Sequence, residues 1–332
     1  DPQDGHNMDG IRVRSSNKNS KIKNIIIDHC SVSWALDENI SVKYAENVTV
    51  QNSIMGECIK GLLMQHAKKV SVLNNLFALN NSRNIMANSS DDTDFSFEQI
   101  NNIVYGFKWA TSASEGMAFS VIGNRYRLSN DFETSTNYPV TLTPPDSGND
   151  DFGNIKKTHA FLEGNVLDEG FLGLYRKELG PYQFSSPKNK STYTPTDARN
   201  NKLDSKLLPH IGASPWQRDD VDKRLIQSYQ NSSGTNRSSG SFPKISSGAG
   251  YKDLDKNGMA DDWELSHGVN SRLQVKKNWD FGNYTVINNA GYSAIEIYFA
   301  WLSGDFGRLS GSDVPVPREV PNTCLNNDGF SV

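Results

Sequence analysis

Short runs of alternating hydrophobic and polar residues recur along the first half of the chain. Three of them align, each with an apolar strand, a polar residue and a second apolar pair: NIIIDHCSV (24–32), NVTVQNSIM (47–55) and KVSVLNNLF (69–77). The interval is 23 residues from Ile25 to Val48 and 22 residues from Val48 to Val70. Because β-branched residues alternating with polar ones indicate strands, the pattern predicts a short strand in each repeat.

The repeat continues less strictly in three later segments, FEQINNIVY (97–105), FSVIGNRYR (119–127) and AFLEGNVLD (160–168). An asparagine recurs after the strand, at Asn75, Asn102, Asn124 and Asn165. A helical repeat would show apolar spacings of three and four, and an up-and-down barrel gives no reason for asparagine at one phase. Stacked asparagines in coils of this length are typical of an all-β, right-handed, single-stranded parallel β-helix. A β-sandwich with coincidental spacing is the alternative.

The β-helix makes a specific prediction about the core. The alternate residues of the first three strands should point into one shared interior: Ile25, Ile27, Val48, Val50, Val70 and Val72. His29 occupies the same coil position as Asn52 and Asn74, which predicts a place in the stack at a bend and disfavours a catalytic role. The same alignment pairs Cys30 with Ser53, so Cys30 and Cys58 should not be bonded.

The segment IIIDHCSVSWALDENIS (25–41) resembles the Asp-His segment of pectate lyases in polysaccharide lyase family one, especially secreted microbial members. Further segments resemble later coils of that family and the stretch that wraps them: VSVLNNLFALNNSRN (70–84), NNIVYGF, SASEGMAFSVIGNRYR, GPYQFSSP (180–187) and GASPWQRDDVDKRLIQSYQNSSG (212–234). Together they cover most of residues 8–235. The resemblance implies a secreted enzyme that cleaves galacturonan by β-elimination, in a groove that binds this acidic polysaccharide through calcium.

The resemblance also implies calcium ligands in the groove. Asp9 matches one calcium aspartate of the family, and Asp37 matches the first acid of a second motif. Ser41 stands where the family often has another acid, so the adjacent Glu38 is the candidate substitute. Calcium prefers several hard oxygen ligands, which carboxylates at the ends of adjacent parallel strands can supply. A solvated acidic edge without metal is the alternative.

Two cations match the catalytic residues of the family. Arg83 in SRNIMAN matches the catalytic arginine, and Lys60 in IKGLL matches the lysine that binds the uronate carboxylate. Ile85 replaces a proline of the motif, and Asn88 replaces a second arginine. These departures favour the alternative function, a catalytically weakened β-helix that binds polysaccharide or serves as an extracellular building block. Trp34 is a candidate for stacking on sugar, with packing as its alternative.

The C-terminal part has a different character. Residues 231–250 are rich in Ser and Gly, which predicts a linker between a β-helix at 1–230 and a module at 251–332. In that module, DLDKNGMADDWE (253–264) matches the EF-hand calcium loop D-x-[DN]-x-[DN]-G-x₅-E. The expected ligands are Asp253, Asp255, Asn257, Asp261 and Glu264, with the backbone carbonyl of Met259; a metal-free acidic turn is the alternative. A short helix begins at WELSHG, and the amphipathic segment GYSAIEIYFAWL (291–302) should form a helix that covers it.

Composition and net charge restrict the kinds of partner that the protein can bind. The formal net charge of −4 and the pI near 5.9 offer no basic field to nucleic acid. The chain has no apolar run near the about 18 residues of a membrane span. Asn-x-Ser/Thr sequons are compatible with a secreted glycoprotein; they start at Asn39, Asn47, Asn80, Asn88, Asn189, Asn231, Asn236 and Asn283. Because family members carry coils before the first one here, we expect a preceding segment or self-association to cap that coil.

Overall fold

The computed structural model describes residues 8–17, 19–88, 96–113, 117–142, 159–175, 186–187, 191, 193–237, 239–244, 250–266 and 294–302. The chain forms two compact units, one of Asp1–Ala213 with Arg218–Ser241 and one of Ser214–Gln217 with Phe242–Val332. In the described part of the chain, no helix is both long and apolar enough to cross a bilayer. The sequons at Asn189 and Asn283, Cys324 and residues 245–249 of the predicted linker lie outside the described residues.

The first unit winds through three six-stranded parallel sheets, and each sheet takes every third strand of the chain. Sheet 1 contains β1 (Ile11–Arg14), β4 (Glu38–Lys43), β7 (Lys60–Gln65), β10 (Ile85–Asn88), β13 (Thr111–Ala113) and β16 (Val140–Leu142). Sheet 2 contains β2 (Ile22–Asp28), β5 (Ala45–Gln51), β8 (Lys68–Leu73), β11 (Ser96–Ile100), β14 (Ala118–Ile122) and β17 (His159–Glu163). Sheet 3 contains β3 (Ser31–Ser33), β6 (Ile54–Gly56), β9 (Leu76–Ala78), β12 (Ile103–Tyr105), β15 (Arg125–Arg127) and β18 (Val166–Leu167). This topology confirms the predicted parallel β-helix, and the β-sandwich alternative is wrong.

The register of sheet 2 is the one that the repeats predict. Ile25 pairs with Val48, and Val48 pairs with Val70. The alternate residues Ile27, Val50 and Val72 form a second aligned row, and both rows contribute to one hydrophobic core inside the coils. The shared core is therefore confirmed. Cys30 and Cys58 are both free thiols, as the register predicted.

A ladder of buried amides holds successive coils together at the bend between sheets 2 and 3. The backbone N–H of Asn75 donates to Oδ1 of Asn102 (3.0 Å), and that of Asn102 donates to Oδ1 of Asn124 (2.9 Å). The ladder begins at Ser53, whose N–H donates to Asn75, and it extends to Asn165. Each amide nitrogen also reaches a backbone carbonyl of the coil beneath, for example Asn102 Nδ2 to the carbonyl of Val72 (2.8 Å). The ladder thus satisfies polar groups that the bends would otherwise bury unpaired.

The residue before each ladder position adopts a left-handed backbone. His29, Asn52 and Asn74 have φ values of 48°, 48° and 55°, followed by Asn101 at 54° in the next coil. Asparagine tolerates this conformation better than most residues, and glycine tolerates it best. The bend therefore explains why the repeats carry Asn at this phase, and His29 lies in that stack as predicted.

Two helices cover sheet 3. α1 (Lys202–Leu207) and α2 (Asp220–Asn231) bury Leu203, Leu225 and Tyr229 against apolar residues of sheet 3. Arg224 of α2 forms a bidentate ion pair with the fully buried Glu57; its Nη2 lies 2.9 Å from Oε2. The chain after α2, within the predicted 231–250 linker, still contacts the coils, because the side-chain amide of Asn236 donates to the carbonyls of Cys58 and Leu79.

The second unit contains two described helices, α3 (Asp261–Ser266) and α4 (Ala294–Leu302). The rings of Trp263 in α3 and Tyr298 in α4 pack at a centroid distance of 4.9 Å. Met259 and Trp301 join the same apolar cluster. The helix predicted over 291–302 is thus found from Ala294 onward, and it packs on the short helix after the acidic loop; residues 291–293 lie outside the described part.

Replacing Asn102 by alanine tests the ladder. The side chain is fully buried and bonds the coils on both sides, so Asn102→Ala leaves backbone donors and acceptors unpaired. We expect the free energy of unfolding to fall by roughly 2–4 kcal/mol in urea denaturation. The matched control is Asn19→Ala, at an exposed turn, which should change stability by less than about 0.5 kcal/mol. Similar small effects for both variants would contradict the ladder's role.

Candidate active site

The predicted groove residues meet where the chain enters sheet 1. Glu38 and Lys60 are the first residues of β4 and β7, and they are register partners. Asp37 directly precedes β4, and Arg83 lies two residues before β10. Because successive strands of the sheet start at the same edge, residues more than 20 positions apart in sequence become neighbours there.

Asp9 anchors one side of this cluster. Its Oδ2 accepts hydrogen bonds from Ser41 Oγ (2.5 Å) and Arg12 Nε (2.7 Å), and its Oδ1 accepts from the backbone N–H of Glu38 (3.3 Å). Burial alone would raise the pKa of Asp9, but these hydrogen bonds outweigh burial and lower it. Asp9 is therefore held as an anion, and Ser41 serves as its hydrogen-bond donor.

Glu38 lies at the centre of the cluster, with a side chain only 3% exposed. Its Oε1 contacts Nη1 of Arg83 and lies 3.7 Å from Nζ of Lys60. Lys60 also forms a close ion pair with Asp37. Burial raises the pKa of Glu38 to about 7; the Asp37 carboxylate adds to the rise, while Lys60 and Arg83 oppose it. Two cations and two carboxylates thus share one poorly solvated space.

Asp9, Asp37 and Glu38 can place one carboxylate oxygen each within 4.8 Å of one another. The side chain of Glu38 points into the cluster, so this site contains a third carboxylate although position 41 is a serine. Three carboxylates at this separation are a donor set of the type that calcium prefers. The residues present therefore fit such an ion by their chemistry, and the nearby cations balance part of their charge.

Arg83 is oriented without the proline that the related motif contains. Its backbone is left-handed, with φ of 48°, between the fully buried Asn80 and Asn84. Nδ2 of Asn80 donates to Oδ1 of Asn84 (3.2 Å), which ties the two ends of this bend together. Ile85 is completely buried in the core. Asn88, at the end of β10, pairs in register with Gln65 of the preceding coil.

A cavity of about 150 Å³ adjoins the cluster. It is lined by the three carboxylate residues and Arg83 and also by Arg12, Arg14 and Lys43. Sequence reasoning missed Arg12, Arg14 and Lys43. A usable signal existed for the last two, since each follows a valine that packs on the core (Val13 and Val42) and they pair with each other in register.

Trp34 is engaged inside the first unit. Its indole N–H donates to Oε2 of Glu57 (2.9 Å). Its ring lies so close to Gly240 that a Cβ at that glycine would clash with it. The contacts are those of a packed residue, and Arg224 binds the same Glu57 carboxylate.

The acidic loop in the second unit is held in a turn by hydrogen bonds to its own acids. Asp253 accepts from the backbone N–H groups of Asn257 (3.1 Å) and Gly258 (3.0 Å), and Gly258 has a φ of 89°. Asp261 Oδ1 accepts from the N–H of Leu254 (3.0 Å), across the loop. Asp255 accepts from the backbone and side-chain N–H groups of Asn257. These bonds bring the predicted ligand positions onto one turn.

Glu264 is the exceptional group of this loop. It is fully buried; Oε1 accepts from Nδ2 of Asn257 (2.7 Å), while Oε2 has no hydrogen-bond partner among the described residues. Burial raises its pKa to about 7, and the neighbouring acids Asp255, Asp261 and Asp253 add to the rise against the Asn257 hydrogen bond. Among the described residues, no three acids of the loop bring one side-chain oxygen each as close together as Asp9, Asp37 and Glu38 do in the groove. A buried carboxylate oxygen without a hydrogen-bond partner is suited by its chemistry to bind a cation.

Comparison with known proteins gives consistent sequence relatives. No family model matches the chain. "Probable pectate lyase C" of Aspergillus flavus is 28% identical over 294 residues, which cover 80% of this chain and 64% of that protein. The protein of the same name from Emericella nidulans is 28% identical over 319 residues, covering 87% of this chain and 66% of that protein. The chain therefore spans less than two thirds of the length of these relatives, and the similarity supports a pectate-lyase-like family.

Two solved structures are more distant. The cedar pollen allergen jun a 1 is 16% identical, with a TM-score of 0.38 over 56% of this chain and 53% of the allergen. The thermostable pectate lyase PL 47 is 13% identical, with a TM-score of 0.39 over 62% of this chain and 54% of that enzyme. At such TM-scores these two matches carry no argument about the fold, which follows from the parallel coils themselves.

Proposed function

We propose that this protein is a secreted polysaccharide lyase that cleaves a galacturonan-type acidic polymer by calcium-assisted β-elimination. One observation carries the proposal: Lys60 and Arg83, from adjacent coils, both approach Glu38, which belongs to the three-carboxylate cluster. The sequence relatives, named as pectate lyases, support the same reaction.

The reaction moves one proton and breaks one bond. A base removes the proton α to the uronate carboxylate, the electron pair forms a carbon–carbon double bond, and the C4–O bond breaks. The departing oxygen takes up a proton, which leaves one unsaturated sugar end and one ordinary end. The charge that develops on the carboxylate must be stabilised at this moment, which favours cations fixed in the site beforehand.

Lys60 and Arg83 take separate roles in this scheme. Lys60 binds the uronate carboxylate and offsets its growing negative charge. Arg83 accepts the α-proton, for which it must first be neutral, and an ionised Glu38 in contact with it opposes that state. Glu38 therefore has to leave Arg83 in the reacting complex.

Asp9, Asp37 and Glu38 would hold the groove calcium. When bound, the ion supplies Lewis-acid stabilisation of the uronate carboxylate. Ser41 and Arg12 hold Asp9 in place before substrate arrives, whereas Asp37 and Glu38 would have to release Lys60 and Arg83 to bind the ion.

The acidic loop of the second unit is the second calcium site of the proposal. Asp253, Asp255, Asn257, Asp261 and Glu264 would supply side-chain oxygens, and Met259 would supply its backbone carbonyl. The unpaired Oε2 of the buried Glu264 supports this assignment. A structural role suits a site whose flanking helix α3 packs through Trp263 on α4.

The first test is product formation. The intact protein, incubated with polygalacturonate and calcium, should release oligomers whose double bond absorbs ultraviolet light. Arg83→Ala should lower the rate by roughly 10²–10⁴-fold, the usual contribution of a general base. The matched control is Arg199→Ala, an exposed arginine paired with its neighbour Asp197, which should leave the rate unchanged.

The results separate the two functional alternatives. If the protein forms no unsaturated product from any of a panel of uronic-acid polymers, but still binds galacturonan, the lyase assignment fails and the binding β-helix takes its place. Asn88→Arg, which restores a second cation of the family motif, is the companion variant. Ile85→Pro is less informative, because it removes a fully buried side chain and the N–H that faces the carbonyl of Ala110.

The second test concerns the loop. Calorimetric titration of the intact chain with calcium should detect a site that Asp255→Ala and Glu264→Gln abolish, while the adjacent exposed Asp262→Ala leaves it intact. Because Glu264→Gln removes a buried unpaired charge, this variant should be at least as stable as the wild type in chelator. Calcium should then raise the unfolding temperature of the wild type more than that of the variant, which keeps only the proposed groove site. Equal stabilisation of both proteins would refute the loop site.

A further inference from the structure

Three large apolar side chains are exposed on the loops that lead from sheet 3 into sheet 1. Leu36, Ile59 and Trp109 are 58%, 47% and 50% exposed, and each lies one or two residues before a strand of sheet 1. The groove cluster lies on the same edge, since Asp37 and Lys60 are the neighbours of Leu36 and Ile59. Exposed apolar side chains beside a charged cleft are available for contact with a ligand that enters it.

Trp109 is the largest of the three, and hydrogen bonds hold its backbone in place. Its backbone N–H donates to the carbonyl of Asn81 (3.0 Å), and its own carbonyl accepts from Nδ2 of Asn84 (2.9 Å). Asn81 and Asn84 flank Arg83 in the preceding coil. Trp109 thus lies in the coil after Arg83 and is bonded to residues on both sides of it, Asn81 and Asn84.

Core packing does not account for the exposed indole. Phe107, two residues earlier, is completely buried and stacks on Phe171 at a centroid distance of 6.0 Å. Ala110, the next residue, is buried in the same core. Trp109 therefore turns outward between two residues that fill the interior, in contrast to Trp34, whose ring is packed and whose N–H is bonded.

We propose that Trp109 is a sugar-stacking residue that binds the pyranose ring next to the one held by Lys60 and Arg83. Lys60, Arg83 and Trp109 lie on three successive coils, so they form a row across coils that are about 4.8 Å apart, with Arg83 one residue beyond the register partner of Lys60. An acidic polysaccharide that lies along this row passes from the cations onto the indole. A pyranose presents a face of C–H groups, which a large, fixed aromatic surface contacts at little entropic cost. This inference rests on the proposed substrate class. It adds a residue that makes longer oligosaccharides bind more tightly than shorter ones.

The stacking predicts a loss of affinity that depends on ligand length. Trp109→Ala should weaken pentagalacturonate by roughly three- to tenfold, seen as a higher Kd in calorimetry and a higher KM with kcat nearly unchanged. Monogalacturonate, which fills only the subsite of Lys60 and Arg83, should be affected little. Trp109→Phe should recover most of the affinity, and it should remove the part of the ligand-induced tryptophan fluorescence change that arises at this position.

Two controls make the result decisive. Ile26→Ala removes another exposed apolar side chain, 66% exposed on sheet 2, and should leave binding unchanged. An active lyase whose pentagalacturonate KM is unaltered by Trp109→Ala would overturn the stacking while the proposed reaction stands. A protein that forms no product, but loses pentagalacturonate affinity on Trp109→Ala, would overturn the reaction while the stacking stands. Equal losses of pentagalacturonate affinity for Trp109→Ala and Ile26→Ala would also overturn the stacking.

Discussion

The coil-to-coil register, held by the buried amide ladder, is the constraint on which the rest of this structure depends. Each asparagine bonds the backbone of the coil before it, so a slip of one residue would leave several buried groups unpaired at once. The same register aligns the starts of the strands in sheet 1. The groove thus depends on the ladder, because residues from separate repeats can form a site only if successive coils stay in register.

Acidic and basic side chains of the groove lie in contact and partly neutralise one another. Asp9 is held as an anion by Ser41 and Arg12, whereas Glu38 is buried against two cations and a second carboxylate. In the described structure Lys60 and Arg83, the groups proposed to act on substrate, are engaged by the chain's own acids. A cation that draws those acids together would free Lys60 and Arg83 for the uronate, so calcium and substrate should strengthen each other's binding.

The sequence predicted the parts of the fold that repeat locally. The strands of sheet 2 and the asparagines at their ends recur at a recognisable spacing, so the core row from Ile25 to Val70 could be predicted without a structure. The direction of side chains in the loops could not be predicted from the sequence. Trp34 packs because Gly240, some 200 residues later, lies against it, and Trp109 is exposed because Phe107 takes the interior position. The resemblance to pectate lyases supplied Asp9, Asp37, Lys60 and Arg83, but the inward orientation of Glu38 needed the three-dimensional arrangement.

Anomalous X-ray diffraction from crystals of the intact protein, soaked with calcium and pentagalacturonate, tests the central claim most directly. We expect an anomalous peak bounded by Asp9, Asp37 and Glu38, with ligand oxygens at roughly 2.3–2.6 Å. A uronate carboxylate should bridge that ion and Lys60, with Arg83 withdrawn from Glu38 towards the sugar. A peak at the 253–264 loop alone, with Lys60 and Arg83 still paired to Asp37 and Glu38 in the presence of the sugar, would contradict the account.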